Sequence, residues 1–340
     1  MKQFFILFLI SVSFLQVHAK VWRINNTPGV TADFTDCVAA LASSSVVNDD
    51  TLYIEGSSTA YPGFNLTKRL VIIGTGYFIT GTDSNPGLQI GNSSNFNAAV
   101  IVFDSTGSGS TLIGLDNFYF GAGTTGSSTD NITITRCRIA YLGNYYGYGP
   151  NTTMAGWKIN KCHINNIEFN TFVVANWEVT NNIILSTLTI NTAPSINNLI
   201  RNNVIRGAIS LYSAYFSNNL ITGTTLTTVN VTVKNNISSG ANLPAGNGNL
   251  NNQLDAVVFQ GLSGNTTDGQ WRLKVSSSPA IGAGETISSI TPDCGPFGTA
   301  DPYKLSGIPA IPTIYSLTVP ASVPSNATTM PITISTRSNN

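Results

Sequence analysis

The stretch Val179-Thr-Asn-Asn-Ile-Ile184 is one of six copies of a six-residue pattern in the middle of the chain. The pattern reads apolar, any residue, polar, Asn or Cys, any residue, and usually Ile. The copies begin at Ile134, Ile159, Val179, Ile200, Phe216 and Val233, and a weaker copy runs from Leu115 to Phe120. The six starts are 16 to 25 residues apart. The pattern therefore predicts a repeat protein with a unit of about 20 residues.

Each unit has the character of two short strands. A second apolar alternation follows most copies eight to ten residues after the start, at Ile167, Leu188, Ile209 and Leu226. Alternation with period two indicates strands with one buried face, and the units lack the 3.6-residue period of a helix. Such units cannot bury a core alone, so they must stack. The sequence predicts an all-β fold, a single-stranded β-solenoid.

The fourth position of the pattern is expected to form a column along the solenoid. Stacked strands lie about 4.8 Å apart, and a side-chain amide can donate to one neighbour and accept from the other. We therefore predict a structural ladder of Cys137, Cys162, Asn182, Asn203, Asn219 and Asn236. Cys137 and Cys162 occupy adjacent coils, and the spacing allows either a disulfide or a pair of buried thiols.

The N-terminal and C-terminal parts differ from the repeat. Residues 1–19 have the features of a signal peptide, with Lys2, an apolar run and a small-x-small site at Val17-His-Ala19. Residues 20–50 are predicted to contain a capping helix over Thr31–Leu41, begun by Asp33. The β-helix is assigned to residues 51–306, with early strands at 52–54, 70–73, 88–90 and 100–103. Residues 307–340 are predicted to be a Pro-rich tail or cap with two strands.

Several segments resemble the right-handed parallel β-helix (pectate-lyase-like) superfamily. They are Thr51–Gly56, Leu66–Tyr77, the Asn-Asn coils and a closing segment at Trp271–Gly284. The tail from Asp293 is similar to that of secreted β-helix proteins from Bacteroidetes. The resemblance implies a right-handed parallel β-helix, and it implies that any enzyme activity would act on acidic polysaccharides.

Composition limits the function classes. Only 9% of the 340 residues are Asp, Glu, Lys or Arg, and the formal net charge is zero. This balance gives no electrostatic footprint for nucleic acid, and no run after the N-terminus is long enough to span a bilayer. The four cysteines have no metal-ligand spacing. We expect no cofactor. Calcium is the one candidate, and acidic residues are too sparse for a convincing calcium site.

One cluster of basic residues suggests chemistry. The column register stacks Arg138 on His163 and Arg136 on Lys161, and it places Lys158 beside Glu178. Arg201 follows in a later coil. We take Arg138, His163 and Lys161 as candidate catalytic residues of a polysaccharide lyase acting on a uronate glycan, because a lyase needs a base for the proton next to the carboxylate. Arg136, Lys158, Glu178 and Arg201 are candidate substrate-binding residues.

A tyrosine-rich loop suggests sugar binding. Tyr141, Tyr145, Tyr146 and Tyr148 lie among glycines in the longest inter-coil loop, where their rings are candidates to stack on a polysaccharide or cell-surface glycan. The polygalacturonase set of aspartates is not present in the sequence. The favoured hypothesis is therefore a secreted or cell-surface monomer that binds glycans or acts as a scaffold, without catalysis. The lyase is the alternative.

Overall fold

The fold is a right-handed parallel β-solenoid of about eight turns over the described part of the chain. The computed structural model describes residues 19–80, 85, 91–122, 128–143, 153–223 and 225–339. The predicted fold class is confirmed. The predicted signal peptide (except Ala19), the strand at 88–90 and the side chains of Tyr145, Tyr146 and Tyr148 lie outside the described residues.

Sheet A is built from one short parallel strand per coil. Each strand pairs with its equivalent in the next coil, so the sheet runs along the solenoid. Its ten strands within the described residues are Val21–Ile24, Thr51–Ile54, Val71–Ile73, Thr111–Ile113, Thr133–Thr135, Lys158–Asn160, Glu178–Thr180, Asn198–Arg201, Ala214–Ser217 and Thr232–Lys234.

Sheet B contains the strands that follow the sheet A strands in each coil. It divides into two ladders after its fifth strand. Its undivided part comprises Phe64–Leu66, Asn95–Phe103, Asp116–Ala122, Arg138–Gly143 and His163–Phe169. One ladder continues as Ile183–Ile184, Val204–Ile205, Leu220–Ile221 and Ile237–Ser238, and the other as Leu188–Ile190, Ile209–Tyr212 and Leu226–Val229. Thr153–Ala155 and Val173–Ala175 form a separate parallel pair.

Few other elements occur in the described residues. The α-helices are Cys37–Ala42 and Asp255–Val258, and the 3₁₀ helices are Ser105–Gly107, Gly269–Trp271 and Leu305–Gly307. Thr313–Thr318 and Thr333–Arg337 form an antiparallel hairpin, which confirms the two strands predicted near the C-terminus.

The solenoid interior consists of apolar columns set by the pattern. Ile159 at the first pattern position faces Ile134 and Val179 in the coils on either side. Ile164 at the sixth position faces Ile139 and Ile184, and these residues are fully or almost fully buried. Trp157 and Trp177 are also buried and stack with their ring centroids 5.1 Å apart. The apolar positions of the repeat therefore face the core, as predicted.

The asparagines at the fourth position form a continuous hydrogen-bonded ladder. The Oδ1 atom of Asn203 accepts from the backbone N–H and the side-chain amide of Asn182, at 2.9 and 3.1 Å. Its own side-chain amide donates to Val179 O and to Asn219 Oδ1. The same contacts join Asn219 to Asn236. Each rung thus satisfies buried polar groups of three coils.

The ladder continues beyond the predicted asparagines at both ends. Asn236 donates to Asn249, which the repeat did not reveal. At the other end the Cys162 backbone N–H donates to Asn182 Oδ1, and the Cys137 backbone N–H contacts Cys162 Sγ at 3.4 Å. All four cysteines are free and buried. Of the two alternatives for Cys137 and Cys162, the structure therefore has the thiol pair.

The residue before each ladder position has a left-handed backbone. The φ angles lie between 52° and 57° at Arg136, Lys161, Asn181, Asn202, Asn218 and Asn235. Asparagine tolerates this region better than most residues. The Asn-Asn pairs of the repeat therefore combine two roles, because the first asparagine makes the turn and the second forms the ladder.

Two details of the sequence prediction were wrong. The helix begins at Cys37 and its N-cap is Asp36, whose side chain accepts from Ala39 N; Asp33 accepts from the Arg23 N–H instead. The weaker copy is out of register, because Leu115 N lies against Cys137 Sγ and Leu112 pairs with Ile134. Among the described residues, the strands of sheets A and B lie between Val21 and Ser238.

Residues 255–308, called the strap below, fold back along the outside of the solenoid toward its N-terminal part. Gly295 N donates to Asn218 O, Asn181 Nδ2 donates to Asp301 O, and Tyr77 N donates to Ser306 O, all at 2.8 to 3.0 Å. These contacts progress from late coils to early ones as the strap proceeds. The strap therefore covers one side of the coils and does not form further coils.

We predict that Asn203→Ala lowers the free energy of unfolding by about 3 kcal/mol, because it leaves buried donors and acceptors in two neighbouring coils without partners. The midpoint of urea denaturation measures this loss. Asn202→Gly is the matched control, since glycine also adopts the left-handed turn, and we expect a change below about 1 kcal/mol. Equal losses for the two variants would contradict a specific role for the ladder.

We predict that alkylation in denaturant without reductant adds four groups per chain, because all four cysteines are thiols. In native buffer we expect no rapid reaction, since burial raises the pKa of the Cys37 and Cys294 thiols, the latter to about 12, and only a thiolate reacts. Intact-mass spectrometry counts the adducts. Two adducts in denaturant, rising to four after reduction, would show a disulfide.

Candidate functional site

The predicted catalytic arginine is already paired. Arg138 lies at the fifth pattern position, in register with Asp116 in the preceding coil. Its Nε donates to Asp116 Oδ1 at 2.5 Å, and the Asp116 side chain is only 5% exposed. The guanidinium also lies 5.2 Å from the centroid of the Phe78 ring. Arg138 therefore neutralises a buried carboxylate.

His163 is next to Arg138, as predicted, but it is buried. It is 4% exposed, and its ring contacts Phe78 edge-on at 5.0 Å between centroids. Burial, aided by the positive charge of Arg138 and opposed by Asp268, lowers the pKa of His163 to about 4. The imidazole is neutral at physiological pH and shielded from solvent. This placement gives no support to proton abstraction from a polymer.

Lys161 and Arg136 hold the strap. The Lys161 ammonium forms an ion pair with Asp301, and Arg136 Nη1 donates to the carbonyl oxygen of Ile308 at 2.7 Å. Both basic residues are at least nine-tenths buried. Neither side chain therefore lies on an open surface that a substrate could reach.

Arg201 belongs to a second strap contact. Its Nη2 donates to Glu285 Oε2 at 2.7 Å, while Lys234 Nζ and the Tyr215 hydroxyl donate to Glu285 Oε1 at 2.9 and 2.7 Å. The Glu285 side chain is 15% exposed. Burial acts to raise its pKa, but the hydrogen bonds from Lys234 and Tyr215 and the charges of Arg201 and Lys234 outweigh it and lower the pKa. Glu285 is therefore a charged anchor of the strap.

Lys158 and Glu178 stand apart from the other candidates. They face each other on sheet A with 3.6 Å between Lys158 Nζ and Glu178 Oε1, and both side chains are about half exposed. An exposed pair of this kind stabilises a protein by less than about 1 kcal/mol. The basic residues predicted to form one site are thus divided between an exposed pair on sheet A and the contacts beneath the strap.

Tyr141 lies on the outer surface of sheet B. It is in register with Tyr119, and the two partly buried rings meet edge to face with centroids 6.4 Å apart. The Tyr141 hydroxyl donates to Glu168 Oε2 at 2.6 Å. Burial, and then Glu168, raises the pKa of Tyr141, so its hydroxyl is a neutral donor. Tyr119, Tyr141 and Glu168, called the tyrosine cluster below, combine aromatic rings with a carboxylate.

A buried polar network anchors the far end of the strap. Asp268 is fully buried and accepts hydrogen bonds from Ser306 N at 2.6 Å and Asn85 Nδ2 at 2.9 Å. The hydroxyls of Tyr77 and Tyr303 lie 2.5 Å apart beside it. A buried carboxylate needs such donors because its desolvation is costly. The network contains potentially catalytic residue types, but its contacts are structural.

Sequence reasoning missed the strap, although one signal for it was present. The fifth pattern position points outward, and from the third copy onward it is apolar, at Ile183, Val204, Leu220 and Ile237. These residues are buried in a second hydrophobic cluster with strap residues, including Val258, Phe259, Trp271, Cys294 and Tyr303. An outward apolar column requires a cover, and the strap provides it.

The described residues contain no group of three or more His, Cys, Asp or Glu side chains suited to a metal ion. They also contain no helix that is both long and apolar enough to span a bilayer. No protein-family model and no curated protein matches the chain.

We predict that Glu285→Gln destabilises the protein by about 1–2 kcal/mol at pH 7, because it removes a charged acceptor of three hydrogen bonds. A lowered pKa stabilises the fold above the unfolded value, about 4.3, and this contribution is lost as pH falls through the folded value. The difference in melting temperature between wild type and variant should therefore narrow below about pH 4.

The matched control is Glu178→Gln, which alters the exposed pair with Lys158. We expect it to change stability by less than about 0.5 kcal/mol at every pH. If the difference in melting temperature between wild type and Glu285→Gln stays constant from pH 7 to pH 3, the proposed role of the Glu285 charge is contradicted.

Proposed function

We propose that this chain is a secreted or cell-surface β-helix protein that binds glycans without catalysis. The observation that carries the proposal is the tyrosine cluster on the outer surface of sheet B. Tyr119 and Tyr141 present partly exposed side chains in adjacent coils, and Glu168 lies in the coil after Tyr141. The three residues therefore belong to a rigid surface along the solenoid.

The chemistry of the tyrosine cluster suits a sugar. The C–H face of a pyranose packs on an aromatic ring, and a tyrosine provides apolar area together with a polar tip. The Glu168 carboxylate accepts a hydrogen bond from the Tyr141 hydroxyl through one oxygen, and it has further lone pairs that can accept from sugar hydroxyls. Repetition of the coil would let neighbouring sugars of one polymer follow the surface.

The lyase alternative has weaker support. It requires a basic group that reaches an open surface next to the bound uronate. Its candidates, Arg138, Lys161 and His163, are engaged with Asp116, with Asp301 and with the buried ring cluster respectively. The raised pKa of Tyr141 keeps that hydroxyl protonated near neutral pH, so it is not available to accept the substrate proton. Non-catalytic binding fits these environments better.

We further propose that the chain is a divergent member of the pectate-lyase-like superfamily, related to secreted proteins of Bacteroidetes. The parallel solenoid and its asparagine ladder support the membership. The apolar N-terminal residues and the uncharged polar composition support secretion. A fusion of residues 1–19 to a periplasmic reporter tests the export signal, and retention of the fusion in the cytoplasm would contradict it.

We predict that a glycan array identifies a ligand whose affinity falls about tenfold in Tyr141→Ala, because the stacking ring is lost. Tyr141→Phe retains the ring and is expected to keep most of the binding. An unchanged circular dichroism melt controls for folding. An array without binding, or equal binding by wild type and Tyr141→Ala, would refute the proposed site. Unsaturated uronate absorbance in the same samples would favour the lyase.

A further inference from the structure

A pocket open to solvent lies where the strap meets the C-terminal hairpin. Its volume is about 330 Å³, and its lining includes Arg272 and Lys304 from the strap and Arg337 from the hairpin. Phe297, Tyr303 and Leu305 contribute apolar wall. This volume is at the lower end of small-ligand pockets. The pocket shares no residue with the tyrosine cluster.

The three basic side chains lack anionic partners within the described residues. No ion pair involves Arg272, Lys304 or Arg337 there. The Nε and Nη2 atoms of Arg337 are buried and make no hydrogen bond to a described residue. Its guanidinium lies 5.7 Å from the centroid of the Tyr315 ring. Donors buried in this way are costly unless an acceptor reaches them.

Four basic residues of the coils that contact the strap, in contrast, do have partners on it. Lys161 pairs with Asp301, Arg201 and Lys234 pair with Glu285, and Arg136 donates to the Ile308 carbonyl. The strap acids closest in sequence to the pocket residues are thereby occupied, since Asp301 holds Lys161 and Asp268 receives donors from Ser306 and Asn85. The pocket therefore has a net positive potential that the chain itself does not neutralise.

We propose that this pocket binds the carboxylate or sulfate group of an acidic saccharide. Guanidinium groups present paired donors that match both oxyanions, and a lysine adds a mobile positive charge. The aromatic and aliphatic wall is placed to contact the sugar ring beside the anion. The saccharide class rests on the proposed function, whereas the preference for an anion rests on the three unpaired basic residues.

Isothermal titration with four probes tests this inference: glucuronate, glucose 6-sulfate, glucose and inorganic sulfate. We expect the two acidic sugars to bind and glucose to bind at least about tenfold more weakly. Arg337→Gln and Arg272→Gln should each weaken acidic-sugar binding about tenfold, and added salt should weaken it as well. Arg272 is exposed, so its replacement should leave the fold intact even if Arg337→Gln is unstable.

Arg69→Gln is the matched control, because Arg69 is exposed, is paired with Asp49 and does not line the pocket. This variant should bind the acidic sugars as tightly as the wild type. Arg272 and Arg337 lie outside the tyrosine cluster, so a loss of acidic-sugar binding in their variants tests this pocket and not the proposed glycan site. The inference is overturned if neither acidic sugar binds, if both arginine variants bind like wild type, or if inorganic sulfate binds as tightly as the sugars.

Discussion

Most of this structure depends on one constraint, which is that each residue of a coil stacks on its own equivalent in the next coil. At a spacing of about 4.8 Å a buried polar side chain must satisfy a copy of itself above and below. Asparagine can do so because its amide both donates and accepts. The contacts among Asn182, Asn203, Asn219 and Asn236 also include backbone groups of the turns, so the ladder fixes the register as well as the polar balance.

The same constraint explains why charge is scarce. A repeated charged position would place like charges in a row along the solenoid, where they repel. The coils accordingly carry few charges, and most of those near the strap meet an oppositely charged or carbonyl partner on it. Lys161 with Asp301 and Arg201 with Glu285 are examples. The low charge content of the sequence and the presence of a separate strap are therefore linked.

Periodicity decided how much could be predicted from the sequence. The interior columns, the ladder and the fold class were predictable because one position informs the next. The strap was not, because its contacts join residues far apart in sequence, such as Tyr77 and Tyr303. Arg136, Lys161 and Arg201 resembled ligand-binding residues only while the strap acceptors were unknown. Tyr141 was predicted to lie in the inter-coil loop, but it belongs to the strand Arg138–Gly143, because sheet B continues beyond the end of the repeat copy.

The end of the periodic region is also where binding chemistry can accumulate. Within the coils, a basic residue stacks on the equivalent positions of the neighbouring coils, so it needs an acidic partner there. Arg138 has such a partner in Asp116. Arg272, Lys304 and Arg337 lie in segments without repeats, so three positive charges can converge there without forming a column. The chain has only 16 lysines and arginines. Three of them surround one pocket whose described lining contains no carboxylate, and a ligand explains this arrangement more readily than a contribution to stability.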